Sequence, residues 1–252
     1  MLNPRYTPGA SVKPTERGWH LEIPAGEAGG YRLAQLDDYT ALPRSRFPLR
    51  TPSTIRLYCR VSESTLPGTW GFGFWNDPFA FSFGLQGTAQ RLPVLPNACW
   101  FFHASEENRL SFHDSFPGNG FLAQTFCSPK IPALLLASGI LGLPLLISKT
   151  ISKWLRAVAG KIIDEDSLSL SIDETQWHMY NLSWRESGVT FSIDDAVVFE
   201  TPVSPRGPLG VVIWIDNQFA AWTPEGRIGV GTLQQKVAGR MEIEQVEVKS
   251  EK

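Results

Sequence analysis

The sequence predicts an all-β fold: a sandwich of two antiparallel sheets with a helical hairpin inserted near the middle. Three observations point there. Short runs rich in β-branched and aromatic residues recur along both ends, each closed by Pro, Gly, Asn or Asp. Several of them alternate apolar and polar residues with the period of two that a half-buried strand requires. One stretch alone, residues 128–163, breaks this pattern with an uncharged run and then a helical spacing.

Taken in order, the N-terminal strands are WHLEI (19–23), YRLAQL (31–36), IRLYCRV (55–61), WGFGFW (70–75), ACWFFH (98–103) and RLSF (109–112). After the break come LSLSI (168–172), WHMYNLSW (177–184), VTFSI (189–193), AVVFE (196–200), VVIWI (211–215) and MEIEQVEV (241–248). Alternation puts His178, Tyr180, Leu182 and Trp184 on one face of their strand, with Trp177, Met179, Asn181 and Ser183 on the other. The hairpin signal is clearest in VTFSIDDAVVF, where Asp194 and Asp195 separate two strand-forming runs and tolerate the positive φ of a tight turn.

In the break, Ser128 and Pro129 read as a helix N-cap followed by proline at the first helical position. The segment from Gly139 to Pro144 interrupts that helix, and Pro144 opens a second one. There Ile147, Ile151, Trp154, Leu155, Val158 and Ile162 share one side, Lys149, Lys153 and Arg156 the other, with Lys161 near the end. The uncharged run from Ile131 to Ser148, eighteen residues, is at the lower limit for a membrane span, and Gly139, Gly142 and Pro144 weaken it as one helix. If strands before and after it share the same sheets, a single crossing would part them across a bilayer. The hairpin therefore leaves and returns on one side. Either Leu134, Leu135, Leu141 and Leu145 form a lid on the sandwich, or the hairpin dips into one leaflet. In that second case Lys149, Lys153, Arg156 and Lys161 reach anionic headgroups and Trp154 sits at the interface.

The totals fit one domain, residues 1–252, with the 128–163 hairpin inside it. Lys and Arg number 23 against 25 Asp and Glu, a net charge of −2 without a basic stripe, which gives no support for nucleic-acid binding. Cys59, Cys99 and Cys127 have no metal-ligand spacing. The opening MLNPRYTPGA has neither a basic segment nor an apolar run, so the expectation is a reducing, cytoplasmic setting without a secretory signal; a Cys99–Cys127 bridge is the alternative.

Two segments carry a resemblance. IRLYCRVSESTLPGTWGFGFWND resembles the strand, Gly-containing turn and Trp-rich strand of glycoside hydrolase family sixteen. WHMYNLSWRESGVTFSIDDAVVFE resembles that family's later aromatic hairpin, and MEIEQVEVK its closing strand. The resemblance implies a concanavalin A-like lectin/glucanase jelly roll. It also implies a catalytic strand bearing Glu-x-Asp-x-x-Glu, because retaining hydrolysis needs two carboxyl groups about 5 Å apart. The strand in that place reads PNACWFFHAS (96–105), with no carboxylate, and Glu106 and Glu107 follow at a hairpin tip.

By the same resemblance, Trp75, Trp100, Phe102, Trp184 and Trp214 lie on strands around a cleft, where sugar rings stack on aromatic faces. A shift of one residue would turn any of them into the core. His103, Glu106, Glu107, His113 and Asp114 gather within twelve residues and could assemble an acid/base or metal site; a solvated turn explains them too. Asp194 and Asp216 are candidate ligands for a structural calcium, with no other cofactor implied. Three functions follow. The first is non-hydrolytic binding of a glycan or glycolipid in the aromatic cleft. The second is an enzyme of altered chemistry on the same scaffold, and the third a peripheral membrane or interaction protein working through its hairpin.

Overall fold

Alternating strands are satisfied only when each buries one face, and here they do so by pairing into two sheets that stack on each other. The computed structural model describes residues 2–78, 91–131 and 148–250. The strands before the break are β1 (Asn3–Tyr6), β2 (Ser11–Pro14), β3 (Gly18–Ile23), β4 (Leu33–Asp37), β5 (Ser53–Val61), β6 (Thr69–Trp75), β7 (Ala98–Ala104) and β8 (Gly120–Cys127). Helix α1 (Lys149–Ile162) is followed by β9 (Asp164–Ser169), β10 (His178–Arg185), β11 (Gly188–Ile193), β12 (Ala196–Thr201) and β13 (Gly210–Asp216). Then come β14 (Gln218–Trp222), β15 (Ile228–Thr232) and β16 (Gly239–Ser250).

Sheet I has the order β1-β4-β13-β6-β7-β8-β9 and sheet II the order β12-β11-β10-β5-β16-β3-β2, with β14–β15 as a separate hairpin. Every ladder is antiparallel. Both sheets draw strands from each side of the 128–163 segment: β8 pairs with β9, and β5 lies between β10 and β16. The two ends of the chain thus share ladders, as the argument against a single membrane crossing required. No helix among the described residues is long and apolar enough to cross a membrane.

The core between the sheets takes alternate residues from each strand, among them Trp70, Phe72 and Phe74 of β6 and Tyr180, Leu182 and Trp184 of β10. In WGFGFW the residues between the core aromatics are glycines for a steric reason. A Cβ on Gly71 would come 3.0 Å from the Trp214 ring, and one on Gly73 2.7 Å from the Trp100 Cβ. Small residues on β6 therefore let the rings of neighbouring strands lie across its outer face. Asp194 and Asp195 take the positive φ that the hairpin signal required.

Three sequence expectations change here. RLSF (109–112) forms only a bridge from Arg109 to Ala221, not a strand. The strand expected at 168–172 lies earlier, at Asp164–Ser169, because it continues the β8 ladder from Cys127 opposite Asp164. Ser128 is no helix cap: its hydroxyl donates to the Pro96 carbonyl (2.6 Å) and its amide to Asn97 Oδ1 (3.1 Å), and residues 128–131 are not helical. The rest of the first arm, with Leu134, Leu135, Leu141 and Leu145, falls outside the described residues.

The second arm is α1, but its inward side is not the apolar one. Ser152 and Arg156 are its buried residues. Trp222 Nε1 donates to Ser152 Oγ (2.9 Å), while Arg156 donates to the Phe112 carbonyl and pairs with Asp114 (2.9 Å). Arg156 is thus removed from the outward basic set, whereas Lys149, Lys153 and Lys161 are exposed. Cys59, Cys99 and Cys127 are all free thiols, and burial pushes those of Cys59 and Cys99 well above the usual range.

Candidate functional site: the outer face of sheet I

On β7 the odd positions Cys99, Phe101 and His103 turn into the sandwich, and the even ones, Trp100 and Phe102, turn out. Register then assembles the outer face. Trp214 lies opposite Gln35 on β4 and Gly71 on β6, and Gly71 lies opposite Phe102 on β7. Gly73 lies opposite Trp100, which lies opposite Gln124 on β8, itself opposite Ser167 on β9.

The result is an aromatic floor. Trp75 stacks on Trp214 with centroids 6.2 Å apart and planes 7° off parallel. Trp100 lies 5.4 Å from Phe102 and 5.8 Å from Trp214, and Phe102 lies 5.7 Å from Trp214. Four of the five aromatics expected around a cleft are therefore brought together. They are also packed: Trp100 is 6% exposed, Trp214 8% and Phe102 3%. Tyr39 and Phe47 cover one flank, and Leu110, Phe112 and Ala159 the other. Trp184 does not belong here. It sits on sheet II, 1% exposed in the inter-sheet core, 6.0 Å from Phe74 and donating to Ser204 Oγ and the Pro205 carbonyl (both 3.2 Å).

Polar groups brace the floor, and each carboxylate on it is engaged. Asp37 accepts from Gln35 Nε2 (2.8 Å), Thr40 Oγ1 (2.7 Å) and the Thr40 amide (2.9 Å), with Arg5 3.7 Å away. Trp100 Nε1 donates to Gln124 Oε1 (3.1 Å), and Gln124 Nε2 donates to Glu165 Oε1 (3.2 Å), whose Oε2 accepts the Phe112 amide (2.8 Å). Desolvation raises the pKa of Glu165, against these hydrogen bonds. Trp214 Nε1 donates to Thr69 Oγ1 (2.9 Å), which donates to Asp216 Oδ1 (2.8 Å); Tyr31 donates to Oδ2 (3.3 Å). Burial pushes Asp216 up to about 7, and burial with Asp216 alongside pushes the Tyr31 phenol well above its usual value. No two of these carboxylates share one strand, and the outward positions of β7 carry none.

The face opens at its β1 edge. A groove of about 340 Å³ is lined by Pro4, Arg5, Tyr6, Thr7 and Leu33. Leu33 pairs with Asp216, so the groove adjoins the Asp216–Tyr31 end of the floor. Tyr6 is 58% exposed, but it lies opposite the core residue Ala34 and so points to the other side of sheet I from Arg5 and the floor. A second groove of about 270 Å³ lies on sheet II beside Arg56, Met179, Asn181 and Lys249, and no aromatic side chain lines it.

The acid/base group read from the sequence is not brought together. His103 lies in the inter-sheet core, its ring stacked on Trp70 (5.6 Å, 8°), and burial lowers its pKa to about 4. Glu106 lies in a turn where its carbonyl accepts from Asn119. His113 Nε2 lies 3.4 Å from the Ile163 carbonyl, and Asp114 is tied to Arg156. No cluster of three metal-ligating side chains occurs among the described residues. Asp194 and Asp216 stand on different sheets, and Asp194 is held by His178 Nδ1 (2.6 Å), so they make no common calcium site.

The sequence reading missed Gln124, Glu165 and Thr69, which are brought to the floor by ladder register, and Tyr31, which reaches Asp216 from the loop before β4. Gln35 and Asp37 had a signal, since they alternate with the core residues Ala34 and Leu36.

No protein-family model matches the chain, and no curated protein matches it significantly. Solved structures do. The Crh5 transglycosylase in complex with NAG superposes with a TM-score of 0.50 at 12% identity over 99% of this chain and 79% of that one. A family 16 endo-glucanase from Bacteroides ovatus reaches 0.48 at 11% identity over 98% and 94% of the two chains. The metal-free carbohydrate recognition domain of Emp46p reaches 0.43 at 12% identity over 96% and 87%. At these identities the likeness is one of fold, and the fold of this chain is the concanavalin A-like jelly roll that its Trp-rich strands and closing strand resembled.

Proposed function

We propose that the chain binds a glycan on the outer face of sheet I without hydrolysing it. One observation carries this reading. Sheet I gathers Trp75, Trp100, Phe102 and Trp214 on one face, with a groove bearing Arg5 at the edge, while Asp37, Glu165 and Asp216 are each held by hydrogen bonds. Sugar rings present apolar C–H faces that stack on aromatic platforms, and half-buried Trp75 offers one at the margin of the floor. Arg5 supplies donors for hydroxyl or carboxylate groups. Retaining hydrolysis needs a free carboxyl pair about 5 Å apart, and the engaged carboxylates here are ill suited to supply it.

Calorimetry with β-glucan and N-acetylglucosamine oligosaccharides tests this. Arg5→Ala and Trp75→Ala are expected to weaken binding by roughly two- to tenfold, the worth of one hydrogen bond or one aromatic stacking contact. Variants that keep the wild-type melting transition and bind as tightly as wild type remove this face from the proposal. Release of new reducing ends from the same oligosaccharides overturns the non-hydrolytic half of it.

A further inference from the structure

A surface helix ordinarily turns its apolar stripe toward the protein. Helix α1 does not. Ile151, Leu155 and Val158 are only half-buried, Ile162 is exposed, and Trp154 is 63% exposed. The orientation is locked from the other side. Ser152 and Arg156 are held by Trp222, the Phe112 carbonyl and Asp114. The backbone also approaches too closely for rotation: a Cβ on Gly226 would lie 2.3 Å from the Lys149 carbonyl oxygen, and one on Gly160 3.0 Å from that of Phe112.

The apolar surface extends beyond the helix. Ile228 and Val230 on β15 are exposed and pair with Trp222 and Ala220, so they share the hairpin face that carries Trp222, whose indole reaches Ser152. Charge identifies the occupant. The α1 sequence KTISKWLRAVAGKI has no acidic residue, and with Arg156 neutralised by Asp114 it still presents Lys149, Lys153 and Lys161 to solvent. Glu225, near Lys153, offsets part of that charge. Apolar side chains with an exposed Trp and several exposed lysines are what the headgroup region of an anionic bilayer receives. A protein core would take the apolar groups and leave the lysines unused.

We infer that α1, with the β14–β15 hairpin beside it, is a docking surface for an anionic lipid membrane, lying on one leaflet without crossing it. The inference is independent of glycan binding, so the test uses vesicles free of glycolipid. The full chain is floated with phosphatidylcholine vesicles and with vesicles containing about one third phosphatidylserine. It is expected to float only with the anionic vesicles and to lose binding as salt rises. Lys153→Ala and Lys161→Ala should each lower the partition coefficient about fivefold. Trp154→Glu should abolish flotation without moving the melting temperature, because the side chain is exposed. Failure of the wild type to float, or undiminished flotation of Trp154→Glu, overturns the inference. So does a dimer in light scattering that Trp154→Glu dissociates, which would make this face a contact between two copies.

Discussion

Asp216 shows how one side chain records its surroundings. Its donors are the hydroxyls of Thr69 and Tyr31 and the Gln218 amide (3.2 Å), not a cation, and burial raises its pKa from 3.8 to about 7. A carboxyl that ionises later in the fold than in the unfolded chain binds its proton more tightly when folded, so stability falls as pH rises between those two values. Asp216→Asn should therefore reduce the loss of unfolding free energy between pH 5 and pH 8 by about 2 kcal/mol, read from urea melts at both pH values. An unchanged difference would place Asp216 in contact with solvent. His103 acts with the opposite sign: its pKa is lowered to about 4, so its contribution is lost as pH falls from the ordinary imidazole range through that value. It is present in both proteins and cancels from the comparison.

At the scale of elements, α1 is the instructive case. Its spacing marked it as a helix, and the helix is there, but which side faces inward was decided by groups distant in sequence. Trp222, Phe112 and Asp114 reach it from β14 and from the loop before β8. Trp222→Phe keeps the ring and removes the hydrogen bond to Ser152, worth roughly 1 kcal/mol. Amide exchange in α1 should accelerate about fivefold, by that same free energy, while the sandwich strands keep their protection. If the strands lose protection together with α1, the helix belongs to the same cooperative unit as the core. Strand β7 is the contrasting element. Its alternation stated that Trp100 and Phe102 share a face, but not which face, since a slip of one residue exchanges core and outside.

For the molecule as a whole, the inter-sheet core and the proposed binding face lie in different layers. Trp184→Ala should cost about 3–5 kcal/mol in denaturant unfolding, because it empties the inter-sheet core beside Phe74; the face proposed to bind glycan, on the far side of sheet I, should keep its affinity at temperatures where the variant stays folded. A much smaller cost would mean that the space around Trp184 collapses onto neighbouring side chains. By itself, the amino-acid order determined that the chain is a β sandwich, where most strands run, that Asp194 and Asp195 turn a hairpin, and that β7 carries aromatics and no carboxylate. These are local properties of propensity, period and turn chemistry. Only the tertiary structure decided that Trp184 is core while Trp214 is floor, that Gln124 links Trp100 to Glu165, and that α1 leaves its apolar side outward. Each of those depends on which distant strand or loop lies alongside, and such long-range pairings leave no mark in local periodicity.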